Sequence, residues 1–314
     1  MHALIVCAFF IGMLLEPGSA FAQEKDKPGC VREWCLEKGL PKDLESSDLT
    51  FVWTKDSNEA WTGTRDGKLL RWNGKKWTVI PTGTDAIMTA AWGADAREIW
   101  LAGFRATEPP VLFRWDGRKL SSFACCSQPG TEANAPDAQK KGPVFFYSMW
   151  GSSASDIWMT GEEGWVIHYD GKTWTAQRAP TKSHLFAIWG TAKDDVWAVG
   201  YKGAIVHYDG TAWSAVPSGT GKDLRSIAGF GKDDILIGAD GRLLHWDGKA
   251  WSGDKSKRLQ LSTIEDVSSL LLLSPGNMWA VAGSKLHHYD EELGLGWLPL
   301  SVPGSNSVSG IGGP

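Results

Sequence analysis

Side chains that could do acid–base or metal chemistry recur at one position of a repeated pattern. The position holds histidine or arginine and directly precedes an aromatic residue, and its occupants are Arg71, Arg114, His168, His207, His245 and His288. Imidazole is a common metal ligand, but a zinc site needs three or four ligands around one ion. Because each repeat contributes a single such residue, we expect no shared ion. We expect neutral imidazoles that hydrogen-bond the neighbouring repeat.

Paired carboxylates also recur, as in Asp194-Asp195 and Asp233-Asp234. Aspartate favours turns, whereas a glycoside hydrolase needs two acids that face each other across a cleft. The sequence contains no Ser-His-Asp order, Walker loop or HExxH motif. We therefore expect no enzyme, no catalytic residue, no cofactor and no metal, and glycoside hydrolysis is only a remote alternative.

The composition excludes several classes of protein. The chain has 314 residues, of which 19 are tryptophan and 37 are glycine, and its net charge is −4. The aromatic content is too high for a disordered chain, and the tryptophan and glycine stand where a helical bundle would have Leu, Ala, Glu and Lys. A slightly acidic chain also lacks the basic surface that binds nucleic acid or anionic membranes.

A repeat of about 39 residues organises the sequence. Residues 150–174 and 189–213 share the pattern W-G, D-[IV]-W, G, H-Y-D-G and W at identical spacing. Looser copies begin at Trp53, at Trp92, at Phe230-Gly231 and near Met278. Each copy predicts four short strands, a to d, and its Asp-Gly predicts the hairpin turn between c and d, because glycine accepts a positive φ.

Six such copies predict an all-β fold, a β-propeller with six blades of four antiparallel strands over residues 48–302. Segments 34–41 and 307–313 resemble strands d and a, so we expect the N-terminal segment 23–47 and the C-terminal segment 303–314 to supply strands that close the ring. Seven blades, the last incomplete, are the alternative.

The repeat resembles the W-G, D-[IV]-W, H-Y-D-G units of secreted bacterial β-propeller repeat proteins, which are largely without an assigned activity. The resemblance covers nearly all of the chain after residue 22 and concerns the fold. It implies a propeller and is uninformative about the ligand.

The first 22 residues predict a secretory signal peptide. An apolar stretch follows Met1-His2 and is shorter than a membrane span, and Ala20 and Ala22 flank Phe21 as a cleavage signal. We expect cleavage after Ala22 and export to the periplasm, the cell surface or the medium, with no membrane span. In such an oxidising compartment, disulfides are expected among Cys30, Cys35, Cys125 and Cys126, with their connectivity left open.

Irregularities in the second copy point to a binding surface. Extra residues lie between strands b and c (104–110) and after strand d (125–143). In a blade, the b–c turn and the connection to the next blade lie on the same face, which we call the loop face, and loops on rigid scaffolds commonly bind ligands. Trp165 breaks its repeat column on this face. The predicted ligand-binding residues are Phe104, Arg105, Glu108, Glu162, Glu163 and Trp165.

The sequence thus favours an exported, monomeric, non-enzymatic scaffold that binds a protein or an extracellular polymer. The main alternative is a lectin with several sugar sites, in which the strand-d tryptophans Trp77, Trp174, Trp213, Trp251 and Trp297 stack on glycans. The strand-b tryptophans, in contrast, are expected to pack in the core.

Overall fold

The computed structural model describes residues 48–56, 58–105, 108–123, 145–253, 260–261, 265–294, 296–300 and 311, and the backbone of 30–31 and 34–35. In this part of the chain, six antiparallel sheets of four strands follow one another along the sequence.

Blades 1 to 3 are built from the first twelve of these strands. Blade 1 has β3 (Leu49–Asp56), β4 (Glu59–Thr64), β5 (Leu69–Trp72) and β6 (Trp77–Ile80), after β1 (Cys30–Val31) and β2 (Trp34–Cys35). Blade 2 has β7 (Ile87–Asp95), β8 (Glu98–Arg105), β9 (Glu108–Trp115) and β10 (Leu120–Phe123). Blade 3 has β11 (Phe146–Ser153), β12 (Asp156–Gly161), β13 (Trp165–Tyr169) and β14 (Trp174–Arg178).

Blades 4 to 6 repeat the arrangement. Blade 4 has β15 (Leu185–Ala192), β16 (Asp195–Gly200), β17 (Ile205–Tyr208) and β18 (Trp213–Ala215). Blade 5 has β19 (Ser226–Gly231), β20 (Asp234–Ala239), β21 (Arg242–Trp246) and β22 (Trp251–Ser252). Blade 6 has β23 (Val267–Ser274), β24 (Asn277–Ala282), β25 (Lys285–Asp290) and β26 (Trp297–Leu300).

Six blades with strands in the order a, b, c, d confirm the predicted propeller. The a strands are innermost and pack side by side from blade 1 to blade 6 around a central channel. Each of the six four-stranded sheets takes its strands from one continuous stretch, so none of the six is completed by strands from both chain ends, and β1 and β2 form a separate two-stranded sheet. Of the predicted closing segments, only residues 34–35 and 311 lie within the described residues.

The Asp-Gly turns between strands c and d have one geometry. In blade 3, Asp170 Oδ1 accepts hydrogen bonds from the backbone N–H groups of Lys172 (2.9 Å) and Thr173 (2.8 Å), while Gly171 has a φ of 89°. The turns at Asn73, Asp116, Asp209 and Asp247 repeat this pattern. A side chain at the glycine would be strained at this positive φ, which explains the recurring dipeptide.

One position of each a strand sets the register of its blade. This residue pairs with the central residue of strand b, and we call it the reference position; its occupants are Trp53, Trp92, Trp150, Trp189, Ala228 and Leu271. The alignment of Phe230-Gly231 with the Trp-Gly pair was therefore wrong. Ala228 and Gly229 hold those places in blade 5, because Ala228 pairs with Leu236 and Gly229 with Ile235.

The glycine after the reference position lets neighbouring blades approach closely. A Cβ on Gly190 would lie 2.6 Å from the Asp195 carbonyl oxygen and 2.8 Å from Cη2 of Trp150 in the preceding blade. The same contact joins Trp53 to Gly93, and Trp92 to Gly151. The Trp-Gly dipeptide of the repeat is therefore a packing motif between blades.

We expect Gly190→Ala to lower the free energy of unfolding by about 1–3 kcal/mol, because the added methyl group overfills a packed interface. Urea denaturation measures the change. Gly231→Ala is the matched control, since a Cβ there meets no atom within 4 Å, and it should change stability by less than about 0.5 kcal/mol. Equal effects of the two substitutions would contradict this account of the repeat.

The predicted disulfides are only partly within the described residues. Cys30 and Cys35 are paired directly across the β1–β2 ladder, and facing positions of neighbouring antiparallel strands lie about 4.5–5.5 Å apart. Cys125 and Cys126 lie outside the described residues. A bridge between Cys30 and Cys35 stays a prediction. Among the described residues, no helix has the length and apolar character of a membrane span.

Candidate functional site

The histidines singled out in the sequence are bound within their own blades. Nε2 donates to a carboxylate oxygen at the start of strand b in three blades: His168 to Asp156 (2.6 Å), His207 to Asp195 (2.7 Å) and His245 to Asp234 (2.8 Å). In blade 6, His288 donates to Asn277 Oδ1 at 2.9 Å. The expectation of bonds to a neighbouring blade was wrong, because strand b of the same sheet already presents the acceptor.

In the two blades that carry arginine at this position, the partner is a glutamate and not an aspartate. Arg71 makes a bidentate pair with Glu59 (2.7 and 2.8 Å), and Arg114 makes one with Glu98 (2.6 and 2.6 Å). The strand-b tryptophans are buried beneath these pairs, as expected; the Trp158 and His168 rings, for example, stack at 3.9 Å. These acids and bases therefore serve the structure of each blade. Among the described residues, no three His, Cys, Asp or Glu side chains form a group that could hold a metal ion.

The carboxylates of two histidine pairs have lowered pKa values. Burial acts to raise the pKa of Asp156 and of Asp195, but hydrogen bonds from His168 and His207, and from neighbouring hydroxyl groups, outweigh it. Both pKa values therefore lie below the usual 3.8. Since the unfolded chain has the higher pKa, about 3.9, the stabilisation is complete above that pH and is lost as the pH falls through the folded pKa.

We expect the double variant Asp156→Asn/Asp195→Asn to be less sensitive to acid than the unmodified protein. Blade 6 carries Asn277 at the equivalent position, so the amide can accept the histidine hydrogen bond. The melting temperature should then fall less for the variant between pH ~6 and ~2.5, because two of the carboxylates that must protonate are gone. If the melting temperatures of the variant and the unmodified protein fell equally, Asp156 and Asp195 would not contribute to the acid sensitivity of the fold.

A ring of side chains, one from each blade, surrounds the channel opening on the loop face. Each lies three residues before the reference position, and together they line a cavity of about 290 Å³. We call this set the mouth ring; its members are Thr50, Thr89, Tyr147, Phe186, Arg225 and Ser268. The large side chains come from the consecutive blades 3, 4 and 5, and small hydroxyl residues come from the other three. Large side chains therefore narrow one side of the opening, which we call the bulky side, and small side chains leave space on the other, the open side.

Aromatic rings form a continuous arc on the bulky side. Phe104 contacts Phe145, with ring centroids 4.3 Å apart, and Phe145 contacts Tyr147 at 4.7 Å. Tyr147 meets Phe186 edge to face at 5.3 Å. Tyr201, 39% exposed, lies at the outer side, 6.3 Å from the His184 ring. The arc thus runs from blade 2 to blade 4 and offers apolar faces and edges to a ligand.

Arg225 extends the arc as a flat cation. Its guanidinium carbon lies 5.1 Å from the Phe186 ring centroid, a cation–π contact. Asp223 and Asp266 hold the guanidinium from two sides, each at 2.9 Å. On the other side of Phe186, burial and the negative charge of Glu162 raise the pKa of the Tyr147 hydroxyl. The Tyr147 hydroxyl therefore stays protonated at neutral pH.

The mouth opens inward into a second cavity of about 590 Å³. Its wall includes indoles of four reference positions, Trp53, Trp92, Trp150 and Trp189. Ile311 lines both cavities. Below the mouth ring, these indoles therefore stand beside hydroxyl side chains such as Thr54, Ser152 and Ser153.

Some of the predicted site residues lie at this arc. Phe104 is a member of it, half-buried, and Arg105 follows Phe104 at the end of β8. Glu162 lies close enough to Tyr147 to affect its titration. Glu108 begins β9, and its side chain lies outside the described residues.

Glu163 and Trp165 belong to a separate cluster on the loop face. The Arg178 guanidinium carbon lies 4.3 Å from the Trp165 ring centroid and Arg178 is paired with Glu163 at 3.2 Å. Trp165 is half-buried and packs against the core between blades 2 and 3. Glu163 has a left-handed backbone (φ 50°), and His184 Nδ1 accepts a hydrogen bond from its N–H. Trp165 is thus covered by a cation and is not an open aromatic platform.

None of the six mouth-ring residues was predicted from the sequence, nor were their aromatic neighbours Phe145, His184 and Tyr201. A signal was present, since the position three residues before the reference position varies among Thr, Tyr, Phe, Arg and Ser, whereas the residue that precedes it is apolar in every blade. Because the repeat was misaligned in blade 5, Arg225 was not recognised as a member of this set of equivalent positions.

The strand-d tryptophans, which the lectin hypothesis would use, pack between blades. Trp174 meets Trp100 of blade 2 at 5.1 Å and Trp213 meets Trp158 of blade 3 at 5.5 Å, both edge to face. Trp77, Trp174 and Trp297 are at most 7% exposed. The ring faces of these three indoles are therefore not presented to a glycan, and Trp213 and Trp251 are only partly exposed.

Comparison with known proteins gives a fold and no family. No protein-family model and no curated sequence matches the chain. The structure of YCF48 bound to D1 peptide is similar, with a TM-score of 0.58 and 14% identity over 82% of each chain. YCF48 from Cyanidioschyzon merolae has a TM-score of 0.60 and 12% identity over 79% of this chain and 84% of that chain.

A third similar structure is the extracellular domain of BT4673 from B. thetaiotaomicron, with a TM-score of 0.60 and 14% identity. The match covers 86% of this chain and 35% of that one. At such identities the likeness concerns the fold alone. The described residues thus form six blades of a β-propeller, a fold similar to the solved structures of YCF48 and of this extracellular domain.

Proposed function

We propose that the protein is an exported, non-enzymatic scaffold that binds an extended polypeptide segment at the mouth ring. The observation that carries the proposal is the asymmetry of this ring. Three neighbouring blades contribute Tyr147, Phe186 and Arg225, whereas the other three contribute small hydroxyl residues and leave space for a ligand.

The chemistry of the mouth favours a polypeptide with apolar or aromatic side chains. Most hydroxyl groups of the open side are already engaged; for example, Thr50 and Thr89 donate to backbone carbonyls at 2.5 and 2.7 Å. The remaining recognition surface is aromatic, with the Arg225 guanidinium held at its edge by Asp223 and Asp266, and aromatic residues and arginine dominate binding energy at protein interfaces. The structural similarity to YCF48, one structure of which is bound to D1 peptide, agrees with this ligand class.

Two further points support a binding scaffold over an enzyme or a lectin. The acids and bases that recur in the sequence bind one another inside the blades, as Asp195 and His207 do. The strand-d indoles that could stack on sugars are packed between blades. Export follows from the predicted signal peptide at residues 1–22.

An array of overlapping peptides from envelope and secreted proteins of the producing cell tests the proposal, with a glycan array beside it. We expect binding to peptides that contain clustered aromatic or apolar residues, and no binding to glycans. Tyr201→Ala should weaken the peptide signal, while Phe123→Ala, which removes a similarly exposed ring on the outer strand of blade 2, should not. A glycan binder without any peptide binder would refute the proposal.

A further inference from the structure

The turns between strands b and c of blades 3 and 4 have the same backbone. Each has the sequence Gly-x-x-Gly, at residues 161–164 and 200–203, and its third residue is left-handed, with a φ of 50° at Glu163 and 55° at Lys202. This conformation is unfavourable for residues other than glycine and persists only where the surroundings hold it. In each turn, the N–H group of the left-handed residue donates to a side chain of the next blade.

The acceptor differs between the two turns. Asp223 Oδ1 accepts from the Lys202 N–H at 3.1 Å, and His184 Nδ1 accepts from the Glu163 N–H at 3.3 Å. Both acceptors lie five residues before the reference position of their blade. A carboxylate accepts hydrogen bonds without a proton of its own, whereas an imidazole nitrogen accepts only while the ring is neutral and becomes a donor when the ring is protonated. The turn of blade 3 therefore depends on an acceptor that acid removes.

The His184 ring is held in place on the bulky side of the mouth. Its backbone carbonyl accepts from the Tyr201 N–H at 2.9 Å. Its ring centroid lies 6.2 Å from that of Tyr147, 6.3 Å from that of Tyr201 and 6.5 Å from that of Phe186. The imidazole thus joins the turn of blade 3 to two rings of the mouth ring.

Several charges surround this imidazole. The titratable and charged groups on the segments packed around it are Tyr147 of β11, Glu162 and Glu163 of the turn, Arg178 of β14, Lys182 of its own segment, Tyr201 and Lys202 of the next b–c turn, and Arg225 beyond Phe186.

These charges do not replace the lost acceptor. Arg178 already binds Glu163, both at the carboxylate (3.2 Å) and at the backbone carbonyl. A proton on Nδ1 of His184 places an N–H group against the N–H group of Glu163, so their hydrogen bond breaks. A glutamate of the turn attracts the imidazolium, but the two can pair through Nδ1 only if the turn moves.

We propose that His184 is a positioning residue, which holds the turn of residues 161–164 while its ring is neutral and releases the turn when Nδ1 is protonated. Because the same ring contacts Tyr147 and Phe186, release of the turn also disturbs the aromatic arc. A peptide bound at the mouth ring should therefore bind less tightly in acid. This last step rests on the proposed function, whereas the release of the turn does not.

Two-dimensional NMR of the ¹⁵N-labelled protein tests the release of the turn. We titrate from pH ~8 to pH ~5, the range in which histidine changes its charge. The Glu163 amide signal should shift with the same midpoint as the His184 ring signals. The Lys202 amide, whose acceptor is Asp223, is the internal control and should not follow this titration. In the variant His184→Asp, which gives blade 4 the acceptor of blade 5, the Glu163 signal should no longer shift.

Peptide affinity at two pH values tests the link to the mouth. Between pH ~7.5 and ~5.5, the affinity for the best array peptide without histidine should fall about three- to tenfold, the contribution of one hydrogen bond. The affinity of His184→Asp should change by less than about twofold, since no positioning hydrogen bond is lost. His184→Asn, whose amide oxygen also accepts, is a second variant that should behave as His184→Asp does.

The positioning role is overturned if the Glu163 signal ignores the His184 titration, if the Lys202 signal follows it equally, or if the Glu163 signal still titrates in His184→Asp. An equal loss of affinity in acid for the unmodified protein and for both variants overturns the link to the mouth. If no peptide binds at either pH, the proposed function fails, and the NMR titration still decides the role of His184.

Discussion

We expect simultaneous replacement of Tyr147 and Phe186 by alanine to weaken binding of the best array peptide by about 100-fold or more. The two rings meet at 5.3 Å in the mouth ring, and Phe186 also supports Arg225. Truncation of a central aromatic anchor commonly costs 2 kcal/mol or more of binding free energy, about 30-fold in affinity. Fluorescence anisotropy with a labelled peptide measures the change.

The folded scaffold should survive this double substitution. Both side chains are only half-buried at the channel opening and lie outside the clusters between blades. The melting temperature should therefore stay within a few degrees of the original. If the double variant bound the peptide as tightly as the Phe123→Ala reference variant does, the mouth ring would not be the peptide-binding site.

The largest effect on stability is expected for Arg71→Ala in blade 1. Glu59 is 4% exposed and accepts hydrogen bonds from Arg71 and from Trp61 Nε1. Removal of the arginine leaves a buried carboxylate without its cation, which typically costs about 3–5 kcal/mol. Urea denaturation at neutral pH should show a midpoint far below that of the unmodified protein.

The repeat itself supplies the rescue experiment. Blade 4 achieves the same stacking with Asp195 and His207 around Trp197. The double variant Glu59→Asp/Arg71→His transplants that pair into blade 1 and should recover most of the lost stability, whereas Arg71→His alone should recover less. If the double variant were no more stable than Arg71→Ala, an Asp–His pair could not replace the Glu–Arg pair of blade 1.

The fold was predictable because its determinants are local and repeated. The Asp-Gly turn needs a positive φ at residues such as Gly171, and the Trp-Gly pair needs close contact between blades. Both requirements leave a visible pattern at a fixed spacing. The repeat was misaligned in blade 5 because Ala228 takes the place of the tryptophan there, and Phe230-Gly231, two residues later, resembles the Trp-Gly pair.

The candidate site was less predictable because its residues come from different blades and meet only when the blades are arranged around the channel. Tyr147, Phe186 and Arg225 lie 39 residues apart and are three different residue types, so no local motif marks them. Trp165 was conspicuous in the sequence, but the structure places Arg178 over its ring. The pairing of each histidine with an aspartate or asparagine at the start of strand b also depends on strand register, which composition does not reveal.

Photo-crosslinking from inside the mouth tests the central claim most directly. A photoreactive phenylalanine analogue replaces Phe186 in one variant and Phe123, on the outer strand of blade 2, in another. After irradiation with the array peptide, mass spectrometry identifies the adducts. We expect a peptide adduct at position 186 and none at position 123. An adduct at position 123 without one at position 186 would show that the peptide binds elsewhere.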